Sequence, residues 1–481
     1  MDVLLSILTS TLWVLLAITI LVFVHELGHF LTAKYFGMRV ERFSVGFPPT
    51  IFGRRYGDTE YAIGATPLGG YVKISGMIDE SMDTDYVEKE PEPWEFRAKP
   101  VWQRIIVISA GVIFNVILAV LIFGGIRWAE GETYIPAQNI EQVYVQEGSV
   151  AYDMGLRTGD HILEVNGKKF ERFEQIASSS LVTADTLTVT VRREGGTTRL
   201  VGPPDIITKL SRAQNNNNRG FGIGYLPPLI GGVQSGSPAD SIGIRPGDRI
   251  LAIGQDTVRF WPEMSELIQN SEGAAVRFRW RRADSLATAD TASSPARLVR
   301  RTDQGVVFEA SAPPMYDKER DRYLLGVQSP GASPATQQML YDEFGIQKVK
   351  YGPGEALVGG VQSVWQNTRS IVVTLKRVIT GRDDFRESLG GPVMIAKVTS
   401  QAAEAGPAVF WRIVAILSVT LAIMNILPIP ALDGGQLLFL LYELVTRRPP
   451  SVRVRLVAQQ VGMILLLGFM AFLIFNDILR L

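Results

Sequence analysis

The chain has 481 residues, 46% hydrophobic and 20% charged, and its 48 basic residues balance 48 acidic ones. That balance gives no global field to attract nucleic acid, and a mean hydropathy of +0.14 is high for a wholly soluble protein. With no cysteine and only three histidines, the chain has no disulfide framework, no Cys-ligated zinc, no iron–sulfur cluster and no thiol catalysis.

The first element is the apolar stretch Val3–Val24, free of Asp, Glu, Lys and Arg. About 20 such residues cross a hydrocarbon core. It lacks the basic start and small-residue cleavage site of a signal peptide and runs straight into His25 and Glu26, so it reads as a membrane span. At its end stands His25-Glu26-Leu27-Gly28-His29. Positions i and i+4 share a helix face, so both imidazoles can reach one metal ion, with Glu26 beside the open position as general base toward a water. Ionisable groups at the end of an apolar span are costly to place, which favours a functional role.

A basic stretch follows (Lys34, Arg39, Arg42, Arg54, Arg55), then the acidic run from Asp79 to Glu95. The second span, Ile105–Ile126, carries Gly111-Val-Ile-Phe-Asn115, whose asparagine is expected to fix a neighbouring helix by hydrogen bonding. Beyond it lie sequences of ordinary globular composition with an internal repeat. Gly148–Leu163 matches Gly236–Leu251 at an offset of 88, nine of sixteen positions being identical. A unit this long that occurs twice predicts tandem small domains rather than a solenoid. In each copy Ser-x-Ala starts a short helix, Gly155 or Gly243 ends it, Gly-Asp makes a turn, and a strand follows. His161 falls in the first copy where the second has Arg249, which predicts a surface turn residue and no metal ligand. The Asn215–Asn218 run predicts an inter-domain linker and Ser285–Pro295 a hairpin insertion.

Val361, Val364, Trp365, Ile371, Val372, Leu375, Val378 and Ile379 recur at helical spacing with Arg369, Lys376 and Arg377 outside the stripe. This predicts an amphipathic helix on the membrane surface or packed on the spans. The third span, Ile413–Leu432, ends in Asn425-Ile-Leu-Pro428-Ile-Pro430-Ala-Leu-Asp433-Gly-Gly435, and the fourth is Leu456–Asn476. Arg447, Arg448, Arg453 and Arg455 lie between these two. The positive-inside rule then places 31–104 and 433–455 in the cytoplasm and both termini with 128–407 outside. With four spans, the first and third run in the same direction, so His25, His29 and Asp433 reach the same membrane face. Pro428 and Pro430 break the helix, and Gly434-Gly435 lets the backbone turn to deliver the carboxylate as third ligand.

The HExxH and NxxPxPxLDGG motifs on their two spans, with the repeats between spans two and three, resemble the site-2 protease family along the whole chain. The repeats resemble PDZ domains, which bind extended peptides beside an exposed strand, and Gly220-Phe221-Gly222-Ile223-Gly224 resembles the PDZ carboxylate-binding loop. Gly69-Gly70-Tyr71-Val72-Lys73 resembles the family's membrane re-entrant β-loop, which supports an extended substrate by strand addition, and Ser388–Val393 resembles another family segment. Many relatives have proline where Val112 stands. The resemblance implies a polytopic α-helical membrane protein with four transmembrane helices, a re-entrant β-loop and two extracytoplasmic PDZ domains. It divides the chain into a first span at 1–30, a β region at 31–100, a second span at 101–128 and PDZ domains at 129–218 and 219–330. A connecting region at 331–407, a third span at 408–435, a cytoplasmic connection at 436–455 and a fourth span at 456–478 complete it.

The resemblance further implies one Zn2+ per chain on His25, His29 and Asp433, Glu26 as catalytic acid and base, and Asn425 holding substrate backbone. Gly70, Tyr71, Val72, Pro428 and Pro430 would lie on the substrate side. The implied activity is regulated intramembrane proteolysis in an envelope stress response. Its substrates would be single-span proteins of the anti-sigma-factor type and remnant signal peptides, cut first on the outer side by another protease. The implied location is the bacterial inner membrane, with termini and PDZ domains periplasmic and the active site near the cytoplasmic face. The PDZ tandem would filter substrates by size or bind peptides; no nucleic acid is expected. An inactive PDZ scaffold would have lost a ligand or the glutamate, and a metal transporter would need neither Glu26 nor peptide-binding modules.

Overall fold

The computed structural model describes residues 2–77, 90–173, 176, 186–193, 195–206, 208–210, 221–283, 296–318, 321–332, 334–388 and 390–479. The chain forms two compact units, one built from 1–132 and 350–481, the other from 133–349. The expected linker at 215–218, the insertion at 285–295, the acidic residues 79–89 and Gly220 lie outside the described residues.

Helix α1 (Asp2–Tyr35) runs eleven residues past the predicted span, so the HELGH pentapeptide is helical interior rather than a helix end. Strands β1 (Val40–Tyr56) and β2 (Thr59–Ile74) form a long hairpin that folds back on itself. Arg42, Phe43, Ser44 and Val45 therefore pair on one side with 60–63 and on the other with 70–73. The stretch 70–74 is left as an edge. Gly46, at φ +91°, permits the fold-back, and Gly64 crosses it closely, since a side chain there would strike the Phe47 carbonyl. Phe43, Val72 and Ile74 pack with Ala33, Phe96 and Val107, seating the hairpin on α1 and α2 (Val101–Glu130).

In the second unit, β3 (Glu132–Tyr134) and β4 (Tyr144–Val145) precede α3 (Val150–Asp153) and the antiparallel sheet β5 (His161–Val165), β6 (Thr188–Arg193) and β7 (Gly196–Val201). Strand β8 (Ile223–Gly224) pairs with β4. The second copy has β9 (Gly232–Val233), α4 (Pro238–Ser241), β10 (Arg249–Ile253), β11 (Asp256–Thr257) and α5 (Trp261–Asn270), then β12 (Val276–Arg282), β13 (Arg297–Thr302) and β14 (Gly305–Ala312). Its sheet has the order β11-β10-β12-β14-β13. β15 (Met315–Asp317) pairs with β16 (Arg322–Leu324), and β17 (Val327–Gln328) pairs with β9. Helix α6 (Pro334–Phe344) and β18 (Gln347–Val349) end the unit.

The repeat extends to the side chains that hold it. Ser149 and Ser237 cap α3 and α4. Asp160 and Asp248 each accept the backbone N–H three residues upstream and two guanidinium hydrogen bonds, from Arg193 and Arg282 respectively. Gly222 and Gly326 both take positive φ, with Ser149 and Ser237 packed where a side chain would stand.

Three expectations change. Phe221 lies in the first copy's core and β8 completes its strands, so 221–224 belong to the first module rather than opening the second. Phe344 joins the same core, so part of the expected connecting region returns to close the first module. His161 begins a strand rather than occupying a turn.

The chain then re-enters the first unit as α7 (Pro353–Ile379), α8 (Pro392–Glu404), α9 (Pro407–Ile426), α10 (Asp433–Thr446) and α11 (Val452–Leu479). Stretches Thr9–Tyr35, Val101–Glu130, Pro407–Ile426 and Val452–Leu479 are long and apolar enough to cross a membrane. Helix α7 packs on α2 where Gly360 meets the Val120 carbonyl and Gly124. Its predicted stripe is split: Val364 and Val378 are buried, whereas Val361, Trp365 and Val372 are exposed. Arg377, expected outside the stripe, is buried against an equally buried Asp383, because pairing removes the cost of the charge. Residues 436–446, expected as connection, are helical in α10, which Arg104 of α2 holds through a bidentate bridge to Glu443.

The two copies differ in how deeply their Asp–Arg pair is buried: Arg282 is 3% exposed and Arg193 39%. Arg282→Ala leaves Asp248 buried without its partner and is expected to destabilise its module by about 3–5 kcal/mol. Arg193→Ala, where water can take the place of a half-exposed guanidinium beside the equally buried Asp160, is expected to cost less, about 1–3 kcal/mol. Hydrogen exchange of the full-length protein, read on the amides of β6 for the first module and of β12 for the second, checks this; equal costs would reject the account.

Candidate metal centre

His25 and His29, one helical turn apart on α1, are both buried and bring their Nε2 atoms to 3.3 Å. The His29 Nδ1–H donates to the Val107 carbonyl at 2.8 Å, which leaves its Nε2 with a lone pair. Asp433 comes from elsewhere in the sequence. Helix α9 stops at Ile426, residues 427–432 run irregularly with Ala431 at φ +102°, and Asp433 opens α10. Gly434 and Gly435 are required by contact, since side chains there would strike the carbonyls of Leu427 and Ile429. This turn sets Asp433 Oδ2 at 3.0 Å from His25 Nε2 and 3.4 Å from His29 Nε2.

Three properties suit these residues to a cation. Their ligand atoms lie within 4.8 Å of one another. The Asp433 Oδ2 atom is buried without a hydrogen-bond partner, although two ring nitrogens face it. Finally, Gly111 of α2 leaves the place clear: a Cβ there would stand 2.4 Å from His29 Nε2 and 2.8 Å from His25 Nε2. Two imidazoles and one carboxylate are a usual donor set for a catalytic zinc site that keeps a position open.

The surroundings collect most of the other residues singled out from sequence. A cavity of about 260 Å³ is lined by Glu26, Gly70, Val72 and Asn425 together with the three donors. Asn425 Nδ2 is 3.2 Å from His25 Nε2. Gly70 sits against the Glu26 side chain, where a Cβ would come within 3.6 Å of Glu26 Cγ. Tyr71, Pro428 and Pro430 are not among the cavity's described walls. The Tyr71 hydroxyl instead accepts from Arg42, and its ring stacks on Phe47. The Pro430 carbonyl lies where Gly462 of α11 has no side chain. Phe221–Gly224 lie in the other unit.

Sequence reasoning missed the Val107 carbonyl, which a side-chain pattern cannot announce. It named Gly111 without its task and expected of Asn115 a hydrogen bond to a neighbouring helix, which the contact with His25 of α1 supplies. Val107, Gly111 and Asn115 recur every four residues, one stripe of α2 facing both histidines.

Known proteins match along the chain. The description of peptidase family M50 fits residues 13–469. The regulator of sigma-E protease RseP of Escherichia coli is 30% identical over 486 residues, covering 98% of this chain and all of the relative. The regulator of sigma E protease of Haemophilus influenzae is 31% identical, with 98% and 100% covered. A Neisseria meningitidis protein whose name includes "zinc metalloprotease" is 30% identical, with 97% and 98% covered.

Gly111→Ala is expected to drive a methyl group against both Nε2 atoms and reduce bound zinc from about one per chain toward none. Gly125→Ala, whose Cβ meets nothing within 4 Å, is the matched control and is expected to keep its zinc. Metal analysis of the purified proteins decides; full zinc in Gly111→Ala would refute the packing argument.

Proposed function

This chain belongs to peptidase family M50, the site-2 proteases, and on that footing we propose that it cleaves peptide bonds within single membrane-spanning segments. It is a zinc metalloprotease of the inner membrane. The observation that carries the finer reading is the convergence of His25, His29 and Asp433 beside Glu26 and the outer strand edge 70–74.

In this reading His25, His29 and Asp433 hold the ion. Zinc, when bound, supplies Lewis-acid polarisation of the scissile carbonyl and acidifies a water. Glu26 takes the proton from the attacking water and returns it to the leaving amine. Asn425, with its amide 3.2 Å from His25 Nε2, hydrogen-bonds the substrate backbone next to the bond being cut. A transmembrane helix satisfies its amides internally, so its target bond must first unwind. The edge 70–74 then offers replacement partners by strand addition, and Gly69-Gly70 carry no side chains to keep a second backbone away.

We assign the two repeats as PDZ modules outside the cytoplasm, with the metal centre toward the cytoplasmic face. They act as a size filter admitting substrates whose outer domain another protease has removed. Anti-sigma factors and remnant signal peptides are substrates of that description, consistent with the sigma-E regulators among the relatives.

The test is cleavage of a single-span substrate lacking an outer domain in liposomes. Wild type is expected to cut inside the span, and Glu26→Gln to be slower by about 10²–10⁴-fold while retaining zinc. A chelator should stop the wild type and added zinc restore it. Equal cutting by both proteins would overturn the assignment of Glu26.

A further inference from the structure

We infer that Asn115 is the positioning residue for His25, its amide oxygen taking the Nδ1 proton and so presenting Nε2 to the metal. This rests on the proposed role of His25 as a ligand. Asn115 is fully buried in α2, and its side-chain nitrogen lies 3.1 Å from His25 Nδ1.

The two histidines are held differently. A backbone carbonyl only accepts, so Val107 leaves His29 one tautomer, with the proton on Nδ1 and the lone pair on Nε2. An asparagine amide can face a ring nitrogen with either end. With its nitrogen toward His25, Nδ1 is the acceptor and the ring proton falls to Nε2, the atom that faces Asp433 Oδ2 at 3.0 Å and Asn425 Nδ2 at 3.2 Å, where it blocks coordination. The Asn115 Oδ1 atom is meanwhile buried with no hydrogen-bond partner. A half-turn of the amide brings that oxygen to Nδ1, moves the ring proton there and frees the Nε2 lone pair. The ring proton is conserved in this exchange, passing from Nε2 to Nδ1, so neutral His25 takes the ion with no net release of a proton.

The backbone of Asn115 is held in place, which leaves its side-chain amide free to turn. Ser418 Oγ of α9 donates to the Asn115 carbonyl at 2.8 Å, and Ser418 is itself fully buried. The Asn115 backbone is thereby tied to the helix that carries Asn425. Partners of this kind typically contribute 10–100-fold to metal affinity.

The experiment is chelator competition for zinc on the purified full-length protein in detergent, with thermal unfolding of the zinc-free forms as a check on the fold. Asn115→Leu fills the space without an acceptor and is expected to bind zinc about 10–100-fold more weakly. Asn115→Asp restores an oxygen that only accepts and is expected to stay within about threefold of wild type. If Asn115→Leu shifts the zinc-free midpoint, Asn115→Ala carries the same expectation in its place. Wild-type affinity without the acceptor would overturn the inference. So would equal weakening by Leu and Asp, since a packing role would produce that. His25→Ala separates the two levels: tight stoichiometric zinc in that variant would overturn the ligand assignment itself, whereas its loss leaves the result on Asn115 to be read alone.

Discussion

The structure depends on one close crossing of helices. In lipid there is no hydrophobic drive between helices, so packing and polar contacts must hold them, and small residues let backbones approach. Gly28, inside the HELGH sequence, meets α2 where its Cβ would stand 2.5 Å from the Ala110 carbonyl. That approach brings the Val107 carbonyl within reach of His29, the Asn115 amide within reach of His25, and Gly111 beneath both rings. A wider crossing would leave two imidazoles unpaired in an apolar bundle, where an unsatisfied polar group is costly. Gly28, the fourth position of the helical pentapeptide, thus matters as much for geometry as its histidines do for chemistry.

The hairpin follows from the same economy of side chains. Residues 42–45 are paired on both sides, and 60–63 are paired again with 52–55, so the outer stretches of the sheet are 52–56 and 70–74. The second is the one that the α1 packing turns toward the cavity, because Gly70 sits between the Ser44 carbonyl, Val22 and Glu26. An open strand edge is usually a liability for aggregation. Here it lies against the proposed catalytic glutamate, where an unwound segment needs backbone partners.

Sequence made legible whatever is written in side chains at short range. HELGH spacing, the span parity that brings Asp433 to the same end as His25, and the repeat at offset 88 were each readable from a few residues. Contacts made by backbone or by returning chain were not. The Val107 carbonyl leaves no pattern, and Phe344 reaches the first module's core from almost 200 residues away, so composition could not place the module boundary. Arg193 and Arg282 look like ordinary strand arginines until the strands bring them to Asp160 and Asp248. In the sequence, α10 reads as connection because its flanking arginines, Arg447 and Arg448, dominate the local charge, although Gln436–Val445 are mostly apolar.

The three proposed donors belong to separate segments, and each is held by a different neighbour. His29 is tied to Val107, His25 to Asn115, and Asp433 to a loop pressed between α10 and α11. The Arg104–Glu443 bridge fixes α10 to α2, the helix that already serves both histidines. Helix α2 is therefore the common reference for all three, directly for two and through Glu443 for the third. Metal binding in such a frame couples to the fold, because the ion joins α1 to α10 across a scaffold that α2 has set. Among the described residues, the loop at 427–432 is the one part of the ligand set held outside α2, by Gly462 of α11 at the Pro430 carbonyl. A shift of α11 consequently acts on Asp433 before it acts on either histidine, which makes the carboxylate the ligand most exposed to events at the last span.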